Sequence, residues 1–191
     1  MARRRPYGAI IVPIVLVFTA ACSTGPESQP PASTSSASTS SPTTTPPTPL
    51  PDPSESASAA ALASYAGFWS AQVSSQAHPT RKQDANLAKY ATDKALAGAQ
   101  QTIFIYRQNG IAMLGEPTLS PTVTAVALTS PPKVSIQDCV DTSKWRPVYV
   151  ATGKSALAPG QSPRVVVEST ATTFGGRWVI DSSVVHRDQP C

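Results

Sequence analysis

The segment from Ser23 to Ala57 limits what this chain can fold into more than any other part of its sequence. Of its 35 residues, nine are Pro and 17 are Ser or Thr, and Leu50 is its only large apolar residue. Such a segment buries too little apolar surface to offset the entropy lost on ordering, and its prolines favour extended polyproline II conformations. We therefore predict a disordered stalk, of a composition that often carries sugars.

Residues 1–21 have the organisation of a signal peptide. Three consecutive arginines at positions 3–5 give a basic start, residues 10–18 are apolar apart from one proline, and small residues precede Cys22. This order is typical of a secretory signal. The alternative is a membrane-spanning anchor, but the apolar run is well short of the roughly 20 residues that a span needs. We expect an exported protein.

Three cysteines, Cys22, Cys139 and Cys191, leave an odd number to be explained in an exported chain. The residues FTAAC that end at Cys22 resemble a bacterial lipobox, in which the cysteine sulfur carries a diacylglycerol, although Thr19 stands where Leu, Val or Ile is usual. The alternative is ordinary signal-peptide cleavage, which leaves Cys22 as an exposed thiol. We expect a lipoprotein, acylated with palmitate-type chains and anchored at the outer face of the cytoplasmic membrane.

Lipidation of Cys22 leaves exactly one pair of cysteines, Cys139 and Cys191, in the folded part of the chain. An oxidising compartment favours a disulfide between them. Because Cys191 is the last residue, the bridge would fix a chain end that otherwise frays. The alternative is two reduced structural thiols.

The charge of the folded region argues against a nucleic-acid partner. The three arginines of the signal peptide and the three acidic residues of the stalk balance, so residues 58–191 keep the net charge of +4 of the whole chain. The Lys and Arg residues are scattered and form no basic stripe. This modest charge is typical of a solvated surface.

Residues 58–191 divide into a helical part and a strand-rich part. Apolar residues recur every three or four positions over 58–76, a short helix fits 84–90, and a third helix runs from Thr92 or Asp93 through Tyr106. After Gly110, alternation of Val and Thr predicts strands at 111–116, 120–130, 133–140, 145–152, 164–174 and 177–186. Helices followed by consecutive strands predict an α+β fold, with the helices on one face of an antiparallel sheet.

Five stretches in this order resemble a known family. They are ASYAGFWSAQ at 63–72, LAKYATDKAL at 87–96, GEPTLSPTVTAV at 115–126, IQDCVDTSKW at 136–145 and GGRWVIDSSVV at 175–185. The order is similar to that of nuclear transport factor 2-like cone domains, and especially of small secreted or lipid-anchored actinobacterial proteins with that fold. The resemblance covers residues 58–191 and implies N-terminal helices packed on a curved antiparallel sheet. It implies a fold and a cell-envelope location, not a reaction.

Asp138 is the one weak candidate for a catalytic residue. Ketosteroid isomerases and polyketide cyclases, which share the broader fold, imply a carboxylate that acts as general base inside an apolar cone. Alternation over 134–140 places Asp138 on the apolar face of its strand, while Cys139 points the other way. The residues that would share a candidate pocket with Asp138 are Tyr65, Trp69 and Tyr106. The sequence favours the simpler interpretation of a structural carboxylate beside core aromatics.

No other pattern predicts a reactive site. His78 and His186 lack metal-ligand spacing, and Gly153-Lys154-Ser155 lacks the earlier glycine of a phosphate-binding loop. We therefore expect no metal and no cofactor. We predict a non-catalytic envelope module that binds a small apolar ligand or another envelope protein. The alternatives are a cone-fold isomerase or cyclase that uses Asp138, and a purely structural spacer.

Overall fold

The structure is a computed structural model that describes residues 52–81 and 84–191. The predicted signal peptide, Cys22 and almost all of the predicted stalk lie outside the described residues. The elements are α1 (Pro53–Ala77), α2 (Asn86–Tyr90), α3 (Asp93–Gln108), β1 (Ile111–Leu114), β2 (Thr122–Ala127), β3 (Lys133–Asp141), β4 (Arg146–Tyr149), β5 (Arg164–Phe174) and β6 (Arg177–Pro190). This order of helices and strands confirms the predicted α+β class. No helix in the described ranges is long and apolar enough to span a membrane.

Helix α1 begins at Pro53, earlier than the predicted start at Ser58. The Asp52 carboxylate caps the helix by accepting a hydrogen bond of 2.7 Å from the backbone N–H of Ser54. Pro53 suits the first helical position because a residue there needs no amide hydrogen. Residues 53–57 therefore belong to the folded domain, although their composition had assigned them to the stalk.

The strands form two antiparallel sheets. β1 pairs with β4, and the other four strands form a sheet in the order β2-β3-β5-β6. Gly175 and Gly176 both have positive φ and form the tight turn between β5 and β6, as predicted. The expected cone is not confirmed. The larger sheet is not curled, and it is not closed, because β2 and β6 remain its two edges.

The core lies between the helices and one face of the four-stranded sheet. In β3 the burial pattern alternates as predicted, and the buried side chains are Val134, Ile136, Asp138 and Val140. The largest α1 side chains that pack on this face are Tyr65, Phe68 and Trp69. Burial of such aromatic side chains contributes about 1.5–3 kcal/mol each.

Gly115 allows the chain after β1 to pass close to the segment before β4. Its φ of +81° lies in the left-handed region, and a Cβ there would overlap the carbonyl oxygen of Lys144. The next residue, Trp145, is buried. The close approach at Gly115 therefore helps to place the Trp145 ring.

A disulfide joins Cys139 in β3 to Cys191 at the chain end, with their Cα atoms 5.9 Å apart. This confirms the predicted pairing. Because β5 lies between β3 and β6, the bridge connects strands that are not neighbours. The register passes from Val166 opposite His186 to Val165 opposite Pro190, so residues 187–189 form a bulge at the end of β6.

Candidate ligand-binding cleft

A cleft of about 510 Å³ opens on the helix-facing side of the four-stranded sheet. Its floor consists of valines on three neighbouring strands: Val140 lies opposite Val165, and Val167 lies opposite Val185. Trp69 and Tyr106 line it from the helices, and further lining residues come from β1, from 142–147, from 156–163 and from Arg187. A volume of this size lies within the range of about 300–1,000 Å³ that is usual for small-molecule sites.

Two tryptophans form much of the apolar lining. The rings of Trp69 and Trp145 meet edge to face, with their centroids 5.7 Å apart, and only 6 % and 9 % of these residues are exposed. Both indole N–H groups are buried and lack a hydrogen-bond partner among the described residues. A buried donor without a partner costs about 1–3 kcal/mol.

The two indole groups differ in their surroundings. The N–H of Trp69 faces the hydroxyl of Tyr65 closely enough to lower the pKa of that phenol, without reaching hydrogen-bond geometry. The N–H of Trp145 forms no hydrogen bond with any described residue. Because both indole nitrogens are fully buried, the two tryptophans present ring carbon atoms to the cleft.

Among the described residues, two arginines, Arg146 of β4 and Arg187 of β6, supply the only charges in the cleft lining. No described carboxylate lies within ion-pair distance of either arginine. Burial raises the pKa of Tyr106, and the positive charge of Arg187 opposes this effect, which places the two side chains near each other. The cleft is thus apolar inside with a positive charge at two points of its lining.

Asp138 does not line the cleft. It is 1 % exposed, and its carboxylate oxygens accept hydrogen bonds from the Tyr65 hydroxyl at 2.9 Å and from the Ser120 N–H at 2.7 Å. Burial raises the pKa of Asp138, and these two hydrogen bonds oppose that rise. A general base must reach the proton that it removes. An enclosed carboxylate with both oxygens bonded has the geometry of a structural group.

The four residues of the predicted pocket therefore lie in two places. Tyr65 and Asp138 form a buried hydrogen-bonded pair, whereas Trp69 and Tyr106 line the cleft. Burial raises the pKa of Tyr65 strongly, and the negative charge of Asp138 adds to that rise. The Tyr65 hydroxyl bonds the Asp138 carboxylate, and the first inward-facing β3 residue that lines the cleft is Val140, two positions further along the strand.

Sequence reasoning missed several residues that shape the cleft. The most important of them are Met113, Trp145, Arg146 and Arg187. Trp145 was visible as the first residue of the predicted strand 145–152, but no local pattern links it to β6. Within the described part of the chain, no three His, Cys, Asp or Glu side chains lie close enough to hold a metal ion.

Comparisons with known proteins give no family for this chain. No protein-family model and no curated protein matches it. Among solved structures, the chain is similar to the crystal structure of the intermembrane space region of the chloroplast protein ARC6. The TM-score is 0.43 and the identity 12 %, over 73 % of this chain and 99 % of that one. A similarity at this level carries no argument about function.

Proposed function

We propose that this protein is an exported, lipid-anchored cell-envelope protein whose folded domain binds a small apolar ligand. The cleft is the observation that carries the proposal. Its lining is mostly apolar, and its volume of about 510 Å³ suits a small molecule. The position of Asp138 outside the cleft supports a binding module rather than an isomerase or cyclase that uses this carboxylate as base.

Tryptophan fluorescence tests the binding proposal directly, because two of the three tryptophans line the cleft. Titrating the full-length Cys22→Ala protein with 1-dodecanol should give a saturable change in emission. The variant Trp145→Phe should lose much of this change, whereas Trp178→Phe, outside the cleft lining, should keep it. The absence of a saturable change with both 1-dodecanol and dodecanoate would contradict ligand binding.

The proposed location depends on Cys22. The Cys139–Cys191 disulfide supports an oxidising compartment, and a diacylglycerol on Cys22 would give two acyl chains, enough for stable anchoring. The Cys22→Ala variant should leave the membrane fraction and take up no labelled palmitate. The matched variant Ser23→Ala should remain bound and labelled. Continued sedimentation of the Cys22→Ala protein with membranes would exclude the lipid anchor.

We also propose that the domain is an open relative of the nuclear transport factor 2-like cone, as in secreted actinobacterial lipoproteins. The order of three helices followed by six strands, and the packing of the helices on one sheet face, support this assignment. An experimental structure tests it. The strand order β2-β3-β5-β6 with the three helices on one face, shared with an experimental structure of such a lipoprotein, would support the assignment, and a different strand order would contradict it.

A further inference from the structure

We infer that the cleft selects amphiphiles with an anionic head group over neutral molecules with the same apolar tail, and that Arg146 and Arg187 bind that head. This inference rests on the proposed function, since it names the class of ligand that the cleft takes. A single-chain carboxylate or phosphate amphiphile combines the required tail and head.

The charges of the lining support an anionic head. Of the described residues that line the cleft, Arg146 and Arg187 are the only charged ones, and no ion pair in this part of the chain involves either of them. A guanidinium group offers paired N–H donors in a plane, which matches a carboxylate or phosphate. Apolar walls of low polarisability strengthen this attraction relative to open solvent.

The two arginines also determine the type of head group. A guanidinium group donates hydrogen bonds and accepts none. A ligand head with several acceptor oxygens therefore complements Arg146 and Arg187, and a cationic head does not.

The acidic residues that adjoin the lining in sequence do not neutralise this site. Asp141 and Asp188 each adjoin a lining residue in sequence, but neither lines the cleft. The Asp141 carboxylate is hydrogen-bonded to the Ser143 N–H at 2.8 Å. Asp188 forms no ion pair with any described residue. The positive charge of the lining is therefore not balanced from within the cleft.

Matched probes with one tail and different heads test the inference on the full-length Cys22→Ala protein. Dodecanoate should bind at least about tenfold more tightly than 1-dodecanol, a difference of about 1.4 kcal/mol. Combining Arg146→Gln with Arg187→Gln should reduce this ratio to about one, mainly by weakening the binding of dodecanoate. Dodecyl phosphate is a second anionic probe, and the tighter of the two anions identifies the preferred head.

Arg164→Gln is the control for a general effect of charge. Arg164 lies on β5, contacts the Sγ atom of Cys139 and does not line the cleft. The Arg164→Gln variant should leave the ratio unchanged. Equal binding of dodecanoate and 1-dodecanol would overturn the inference and leave the proposed function standing. Selectivity that survives loss of both cleft arginines would also overturn it, and binding of neither probe would refute the proposed function itself.

Discussion

Removal of the Cys139–Cys191 disulfide should lower the free energy of unfolding by about 4 kcal/mol. The two cysteines are 52 residues apart in sequence. In the chain-entropy description, closing a loop of that length removes about 14 cal/mol/K from the unfolded ensemble, which is about 4 kcal/mol at 25 °C. The bridge thus stabilises the fold mainly by restricting the unfolded chain.

The folded state should change little when the bridge is removed. Residues 187–191 are all exposed, so few buried contacts depend on holding the chain end. The variant Cys139→Ser/Cys191→Ser should therefore keep the α+β fold. Its denaturant m-value should rise, because an unfolded chain without a cross-link exposes more surface.

Urea unfolding followed by tryptophan fluorescence measures this difference. Both proteins should carry Cys22→Ala, so that no free thiol can exchange with the disulfide. A loss of less than about 1 kcal/mol would show that loop closure is not what the bridge contributes. A variant that does not fold at all would show that the bridge is needed to hold β3 and the end of β6 together.

Three further predictions concern single positions. The folded pKa of Asp138 is raised, so its contribution to the free energy of unfolding is fully present below the unfolded pKa of about 3.9 and is lost as the pH rises through the folded pKa. The variant Asp138→Asn should therefore lack this fall in stability with rising pH. Urea unfolding at several pH values measures the difference. Gly115→Ala should lower the free energy of unfolding by about 2–4 kcal/mol, because Gly115 has a positive φ and lies against the Lys144 carbonyl. Gly98→Ala, in open space on α3, should raise the free energy of unfolding by about 0.5–1 kcal/mol in the same assay. Limited proteolysis followed by mass spectrometry should trim the chain to about Asp52 and no further, and cuts within the first turns of α1 would contradict the observed helix start.

Strand positions could be predicted from the sequence where one face is buried. The alternation in β3 identified the buried face and the outward direction of Cys139, because the side-chain period of a strand is two. The start of α1 was wrong because the composition of residues 53–57 resembles the stalk, while the Asp52 cap acts through a single hydrogen bond. The end of β6 was placed at 186, since nothing local shows that a cross-link holds the strand to Pro190.

The cleft could be predicted only in part. Trp69 and Tyr106 lie on the apolar faces of their helices, and the helical period predicts that these faces point towards the core. Whether Asp138 faces a cavity or a side chain depends on Tyr65, which is 73 residues away in sequence. Arg187 lies in the bulge at the end of β6 and from there lines the cleft. A bulge interrupts the alternation of side chains between the two faces of a strand, so the sequence pattern does not predict the direction of Arg187.

The glycine turn at 175–176 also has a consequence for the kinetics of folding. Strands β5 and β6 meet across this short turn, so their pairing needs little loop closure, whereas the Ser64 hydroxyl of α1 bonds the Trp178 carbonyl over 114 residues. We expect the long hairpin to form early and α1 to dock late. Helix α1, which is synthesised first, therefore docks only after β5 and β6 have been synthesised and have paired. Its apolar side stays exposed to water until then.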